Sequence, residues 1–157
     1  MLNDQSLGLI DQAVAKYPAD QKQSAVMAAL AVAQQEKGWL SPEVMDFVAK
    51  YLDMPAVAVY EVASFYTMFD TSPVGKYKIC LCTNLPCALS GALEAAEHLK
   101  KRLGVDFNGT TADGRFTLKE GECFGACGDA PVLLVNNQRM ESFMAPDSID
   151  KLLADLK

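Results

Sequence analysis

All five cysteines of the 157-residue chain fall between positions 80 and 127, and none lies in the first 79 residues. Cys80, Cys82 and Cys87 form one group; Cys123 and Cys127 form another. An odd number of thiols argues against a disulfide scaffold, and so does the start Met1-Leu2-Asn3-Asp4-Gln5, which has neither the basic opening nor the apolar core of a secretory leader. The chain is therefore expected to be cytoplasmic, and its thiols to form a ligand set. Histidine occurs once, at His98, so a metal site here must be built mainly on sulfur.

Two pairs carry the chemistry. Cys82-x4-Cys87 lies at a strand-to-turn-to-helix junction, and Cys123-x3-Cys127 lies in a loop ahead of an apolar run. Four thiolates from two loops can surround one zinc, or two irons bridged by two sulfides. The spacing leaves both open: the chain has no Cys-x2-Cys knuckle and neither of the common ferredoxin spacings. The absence of Cys-x2-Cys also argues against a third reading, a thiol oxidoreductase. The surroundings favour the cluster, which needs donors toward its sulfurs and shelter from water. Gly125 and Gly128 let backbone amides approach, a helix starting near Ala88 aims its amide end at Cys87, and Leu85, Pro86, Phe124 and Ala126 offer apolar cover. Local spacing suggests Cys82 and Cys87 on one iron, and Cys123 and Cys127 on the other.

Other candidates are weaker. Cys80, two residues before Cys82 on a strand, reads as a buried small hydrophobe beneath the cluster; the rivals are a substitute ligand and a spare redox thiol. His98 reads as a surface or interface residue of its helix. Tyr60, Phe65, Tyr66 and Phe69 read as an aromatic core or interface patch rather than a flavin or base platform. The Gly-x-x-Gly at 125–128 lacks the strand-to-helix context of a dinucleotide site. No constellation for general acid–base catalysis stands out.

The remaining sequence is that of a globular protein, with half its residues apolar and 22% charged. The net charge is −6, with the acidic excess in the first half, which disfavours a nucleic-acid partner. No apolar run is long enough to span a membrane. The first 70 residues predict a bundle of about four short helices. Leu7, Ile10 and Val14 repeat at helical spacing; Asp20 caps a second helix carrying Val26, Leu30 and Ala33 and stopped by Gly38; Ser41-Pro42-Glu43 opens a third with Val44, Phe47, Val48 and Tyr51 on one face; Asp53-Met54-Pro55 opens a fourth. The breaker segment Asp70 to Gly75 marks a boundary, giving domains 1–74 and 75–157. The second half predicts a strand over 76–82, a turn over 83–87, a helix with Leu89, Leu93, Ala96 and Leu99 on one face, a strand from Phe116, a buried strand over 132–135, a hairpin at Asn136-Asn137 and a last helix from Pro146.

The cysteine segments Cys82-Thr-Asn-Leu-Pro-Cys87 and Glu122-Cys123-Phe-Gly-Ala-Cys127-Gly-Asp-Ala-Pro131 resemble the thioredoxin-like [2Fe-2S] ferredoxin family and, within it, the 24-kDa-type subunits of respiratory complex I, NADH–quinone oxidoreductase. Tyr17-Pro18, Gln23-Ser24-Ala25-Val26, Gly38-Trp39-Leu40, the run from Val62 to Phe69, and Pro73-Val74-Gly75-Lys76 extend the resemblance over nearly the whole chain. It implies an α+β chain: an N-terminal helical bundle, then a thioredoxin-like α/β domain holding one [2Fe-2S] cluster. It implies ligands at Cys82, Cys87, Cys123 and Cys127, with Cys80 left out, and a cis bond before Pro131. It further implies single-electron exchange with the FMN of a larger NADH-binding partner subunit, further iron–sulfur subunits in the same complex, and a place in the peripheral arm of a membrane-associated assembly without insertion into the bilayer. In this role the chain resembles a side carrier. Related chains serve NAD-reducing hydrogenases and NAD-linked formate dehydrogenases, which is the alternative setting.

Overall fold

The computed structural model describes residues 1–156, which divide into two compact units, Met1–Pro73 and the part from Val74 onward. The first unit is helical. Helix α1 (Asp4–Val14) starts because the Asn3 side chain accepts the Ser6 amide at 2.8 Å, filling one orphan donor of the first turn. Contrary to the expectation from the sequence, Asp20 does not cap the next helix. The chain enters α2 (Val26–Lys37) through a 3-10 turn over Lys22–Ala25, and the residue at the cap position is the buried Ala25, whose methyl group offers no acceptor. Gly38, at φ +83°, stops α2 in a conformation that a Cβ would strain. The Ser41 hydroxyl accepts the Val44 amide to open α3 (Pro42–Tyr51), and Pro55 opens α4 (Ala56–Phe65).

The stripe on α3 is shifted from the expected one. Met45, Val48 and Ala49 are buried, while Val44, Phe47 and Tyr51 pack at the edge of the core. The core joins Ile10, Leu30, Leu40, Val48, Leu52 and Val59. Of the aromatic group only Phe69 belongs to it; Tyr60, Phe65 and Tyr66 are exposed, since α4 turns Val59 and Ala63 to the core and Phe65 and Tyr66 stand at its end. The return is fixed by Gln34, whose amide donates to the Met68 carbonyl at 2.9 Å and whose oxygen accepts the Asp70 amide at 2.7 Å. Leu40 donates its amide to the Asp70 carbonyl at 2.8 Å.

The second unit is a four-stranded mixed sheet of order β2-β1-β3-β4, with β1 (Tyr77–Cys82), β2 (Phe116–Gly121), β3 (Leu133–Val135) and β4 (Arg139–Glu141). The central strand β1 pairs parallel with β2 and antiparallel with β3. The register aligns Ile79 with Leu118 and Val135, and Leu81 with Leu133, so these side chains share one face. Helices α6 (Ala92–Leu103) and α7 (Pro146–Asp155) cover that face with Ala95, Ala96 and Leu99, and with Ile149 and Leu152. Asn136 and Asn137, both at positive φ, make the tight β3–β4 turn.

One expected helix is two. A short α5 (Leu85–Leu89) ends at Ser90, and Gly91, at φ +98°, restarts the chain as α6. The break rotates the apolar face: Ala92, Ala95, Ala96 and Leu99 are buried, whereas Leu89 and Leu93 are exposed. His98 joins α6 to α7 through Asp150 Oδ1 at 2.8 Å, a carboxylate that Arg102 also holds. Among the described residues no helix is long and apolar enough to cross a membrane.

Candidate metal centre

Parallel pairing of β1 and β2 brings the cysteines together. Parallel strands deliver their carboxyl ends to the same edge of a sheet, which is where α/β folds place their sites. The loops that leave Cys82 and Gly121, partners in the last rung of the ladder, therefore emerge side by side. Thr83 donates its amide to the Gly121 carbonyl at 3.3 Å, extending this pairing, while Cys82 donates its amide to the Val132 carbonyl at 3.1 Å, extending the pairing with β3.

Cys82 ends β1 and Cys87 lies on α5, each only 1% exposed, in an apolar nest with Ala92 and Val132 and with Phe124, Ala126 and Ala130 at its margin. The expected cover is thus half right. Phe124 and Ala126 line the nest, while Leu85, at 70% exposed, and Pro86 face outward, because α5 turns Cys87 inward and its first turn away. The expected helix start near Ala88 is also replaced: α6 begins at Ala92, and Cys87 sits within α5.

Cys123 and Cys127 are exposed in the loop after β2, their sulfurs 3.7 Å apart. Two thiolates on one tetrahedral metal, with bonds of about 2.3 Å, would stand about 3.75 Å apart, so this pair already has the spacing one metal requires. Gly125 donates its amide to Cys123 Sγ at 3.3 Å. Its φ of +80° explains the glycine, since a Cβ there would meet open space. Gly128 shows neither a positive φ nor crowding, so its expected part in admitting amides has no counterpart in the geometry. The Asn84 amide reaches the Cys82 sulfur in the same way, so the first cysteine of each pair receives an N–H from the residue two positions on.

Burial, followed by the neighbouring Cys87 and Cys123, pushes the Cys82 thiol up, against the pull of the Asn84 amide. Cys127 is raised by its hydrogen bond to Cys123, by that sulfur's charge, by partial desolvation and last by Cys87. The four sulfurs feel one another: the first cysteine group is electrostatically linked to the second, and a bound cation would relieve the repulsion between their ionised forms. The contacts within each pair are the close ones. Among the described residues no three His, Cys, Asp or Glu side chains gather tightly around a single point.

Cys80 is half-buried rather than buried, and its register partners are Lys119 on β2 and Leu134 on β3. Its sulfur lies beside Gly121, where a Cβ would come within 2.8 Å of it and would strike the Phe124 ring. Gly121 was not apparent from the sequence, and neither were the polar residues that tie the loops. The Thr83 hydroxyl donates to Glu120 Oε1, and the Asn84 side-chain amide Nδ2 to Glu122 Oε2, both at 2.7 Å. Their only signal was polar residues placed beside cysteines in both loops. Downstream, Phe143 donates to the Asp129 carbonyl and Met144 to the Pro131 carbonyl, each at 2.9 Å, anchoring the far side of the loop. The Ala130–Pro131 bond is cis.

The chain has relatives among known proteins. It is 41% identical over 153 residues, 97% of this chain and 91% of the relative, to the E-type subunit of NADH-quinone oxidoreductase from Rickettsia conorii. It is 38% identical over 149 residues to NADH dehydrogenase [ubiquinone] flavoprotein 2, mitochondrial, of Dictyostelium discoideum, covering 94% of this chain and 60% of that one. Its fold matches a chain of an NAD+-reducing [NiFe]-hydrogenase in the H2-reduced state, with a TM-score of 0.70 and 24% identity over 81% of this chain and 22% of that chain; the likeness is one of fold. The family model described as thioredoxin-like [2Fe-2S] ferredoxin matches residues 10–157, and with a relative 41% identical across 97% of it the chain belongs to the thioredoxin-like [2Fe-2S] ferredoxin family.

Proposed function

We infer that the chain is an electron-transfer subunit of NADH–quinone oxidoreductase, and that Cys82, Cys87, Cys123 and Cys127 hold its [2Fe-2S] cluster. The observation that carries the site assignment is the 3.7 Å Cys123–Cys127 sulfur separation, beside a second thiol pair at the same sheet edge. The role in the complex is supported by identity to a subunit of that oxidoreductase across 97% of this chain.

A bound [2Fe-2S] cluster supplies one-electron redox chemistry and breaks no substrate bond. The residues of the chain set the conditions for it. Cys82 and Cys87 would hold the cluster from within an apolar nest, which excludes water and lowers the local dielectric. The Asn84 and Gly125 amides donate to sulfur, favouring the more negative state. Cys123 and Cys127 lie on the exposed side, where electrons can pass to and from a neighbour. The partner is a larger subunit carrying FMN and binding NADH, with further iron–sulfur subunits beyond it; hydride chemistry belongs to that flavin, and this chain exchanges single electrons with it. The setting is the cytoplasmic peripheral arm of the complex.

The test is metal and sulfide analysis of the purified chain, with EPR after chemical reduction. Two irons and two acid-labile sulfides per chain, a red-brown colour and a reduced-state signal are expected. Stoichiometric zinc in a colourless protein would replace the cluster with a zinc-stabilised module. Reduction by NADH should require the FMN-bearing partner; rapid NADH oxidation by the flavin-free chain would overturn the assignment of roles.

A further inference from the structure

The two thiol pairs are held by different means. Cys82 and Cys87 are fixed by the core, but Cys123 and Cys127 sit in an exposed loop, and only the 3-10 turn Cys127–Asp129 gives that loop regular structure. A two-metal centre needs the pairs at a set separation, and the backbone ladder stops short of providing it. Its last rung is the Thr83 amide on the Gly121 carbonyl, one residue past the end of the strand register.

Two side-chain links take over there. Extension of the strand register would set Thr83 opposite Glu122. Thr83 instead reaches back to Glu120, and Asn84 reaches Glu122, both at 2.7 Å. Two links of different stagger oppose both sliding and splaying of the loops, whereas one link would leave a pivot. Both join neutral donors to carboxylate acceptors, the stronger class of hydrogen bond. Their placement is also direct. Asn84 is the residue whose amide reaches the Cys82 sulfur, and Glu122 is bonded to Cys123, so the link joins the near neighbours of one sulfur from each pair.

We propose that Thr83–Glu120 and Asn84–Glu122 form a two-point clasp that positions the exposed cysteine pair against the buried pair before and after the metal centre assembles. These four are positioning residues: they act through the sulfurs and need not touch the metal. For its metal-release arm the proposal rests on the four-cysteine reading above; its exchange arm does not.

The clasp can be separated from the charge it carries. Thr83→Val with Asn84→Ala breaks both links and leaves both carboxylates. Glu122→Gln removes a charge and leaves an oxygen that can still accept from Asn84. Iron release from the reconstituted full-length chain to a chelator is measured, together with amide hydrogen exchange over residues 122–127 in the metal-free full-length chain. The double variant should release iron about tenfold faster, the loss of interaction with charged acceptors acting on the loaded state. It should also exchange faster over 122–127, while circular dichroism and the loaded EPR signal stay those of the wild type. Glu122→Gln should stay within about threefold of wild type in release. Wild-type release and exchange in the double variant would overturn the proposal, as would Glu122→Gln matching the double variant, which would assign the effect to charge. If the wild type takes up no iron and sulfide, the cluster reading fails by itself, and the exchange comparison still decides the clasp: faster exchange in the double variant upholds it, and equal exchange refutes it.

Discussion

Cys123 and Cys127 place their sulfurs 3.7 Å apart with the Gly125 amide on one of them, so the geometry of this exposed pair is set by the loop itself. The Cys82–Cys87 pair is set by the core, and the two pairs should respond differently to truncation. Alanine at any of Cys82, Cys87, Cys123 or Cys127 should abolish normal iron and sulfide content. Only Cys82→Ala and Cys87→Ala should also destabilise the metal-free chain, by about 1–2 kcal/mol for a small cavity in the nest. Iron analysis combined with urea unfolding of the four variants checks both statements; normal metal content in any variant removes that residue from the ligand set.

Cys80 should behave unlike the other four. It is half-buried beside Gly121, and Cys80→Ala should keep a full complement of iron and sulfide with a stability change of no more than about 1–2 kcal/mol. Loss of iron from a folded Cys80→Ala chain, judged by circular dichroism, would show that the ligands are misassigned.

Gly121 and Gly128 offer a matched pair. A Cβ at 121 would strike the Phe124 ring and come within 2.8 Å of Cys80 Sγ, whereas one at 128 would meet nothing. Gly121→Ala should cost about 1–3 kcal/mol through overpacking at a strand end. Gly128→Ala should cost under about 1 kcal/mol. Denaturant midpoints of the two variants decide it, and equal midpoints would mean that the Phe124 ring moves aside freely.

In the helical unit, Gln34 bonds both the Met68 carbonyl and the Asp70 amide. Gln34→Ala removes two hydrogen bonds of about 1 kcal/mol each. Gln34→Glu keeps an acceptor for Asp70 and loses the donor to Met68, so its destabilisation should be roughly half as large. A thermal or urea series on wild type and the two variants tests the order; Gln34→Glu at least as damaging as Gln34→Ala would contradict it.

Acid should reach this unit through Glu36. The carboxyl is held down from 4.5 to about 2 by the Lys37 ammonium first, then the Ser6 hydroxyl and the Asn3 amide, which lies 3.0 Å from Oε2. A carboxyl with a depressed folded-state value contributes stability that is fully present above its unfolded value of 4.5 and is lost as the pH falls toward about 2. Glu36→Gln should therefore flatten the acid limb of the stability curve in that window and leave its shape unchanged near neutrality. Unfolding midpoints for both proteins from pH 2 to 7 measure this. An acid limb of unchanged steepness in the variant would show that other carboxylates account for it.

The sequence by itself determined the chemistry and most of the local structure. Sulfur donors in two pairs, the Ser41-Pro42 helix start, the Gly38 stop and the Asn136-Asn137 turn are short-range signals, each written within a few neighbouring residues. Tertiary structure decided what depends on residues distant in the chain. Strand register is one such matter: it set Cys82 against Gly121 and left Cys80 outside the nest, and a shift of one residue would have exchanged the faces. The helix after Cys87 is another. Its spacing reads as one continuous stripe through Leu89 and Leu93, but a left-handed Gly91 divides it and turns those leucines outward, a choice made by packing of Ala92, Ala95 and Leu99 on the sheet. The links from Thr83 to Glu120 and from Asn84 to Glu122 join loops more than thirty residues apart, so no local pattern announces them; they exist because parallel pairing brings both loops to the same edge.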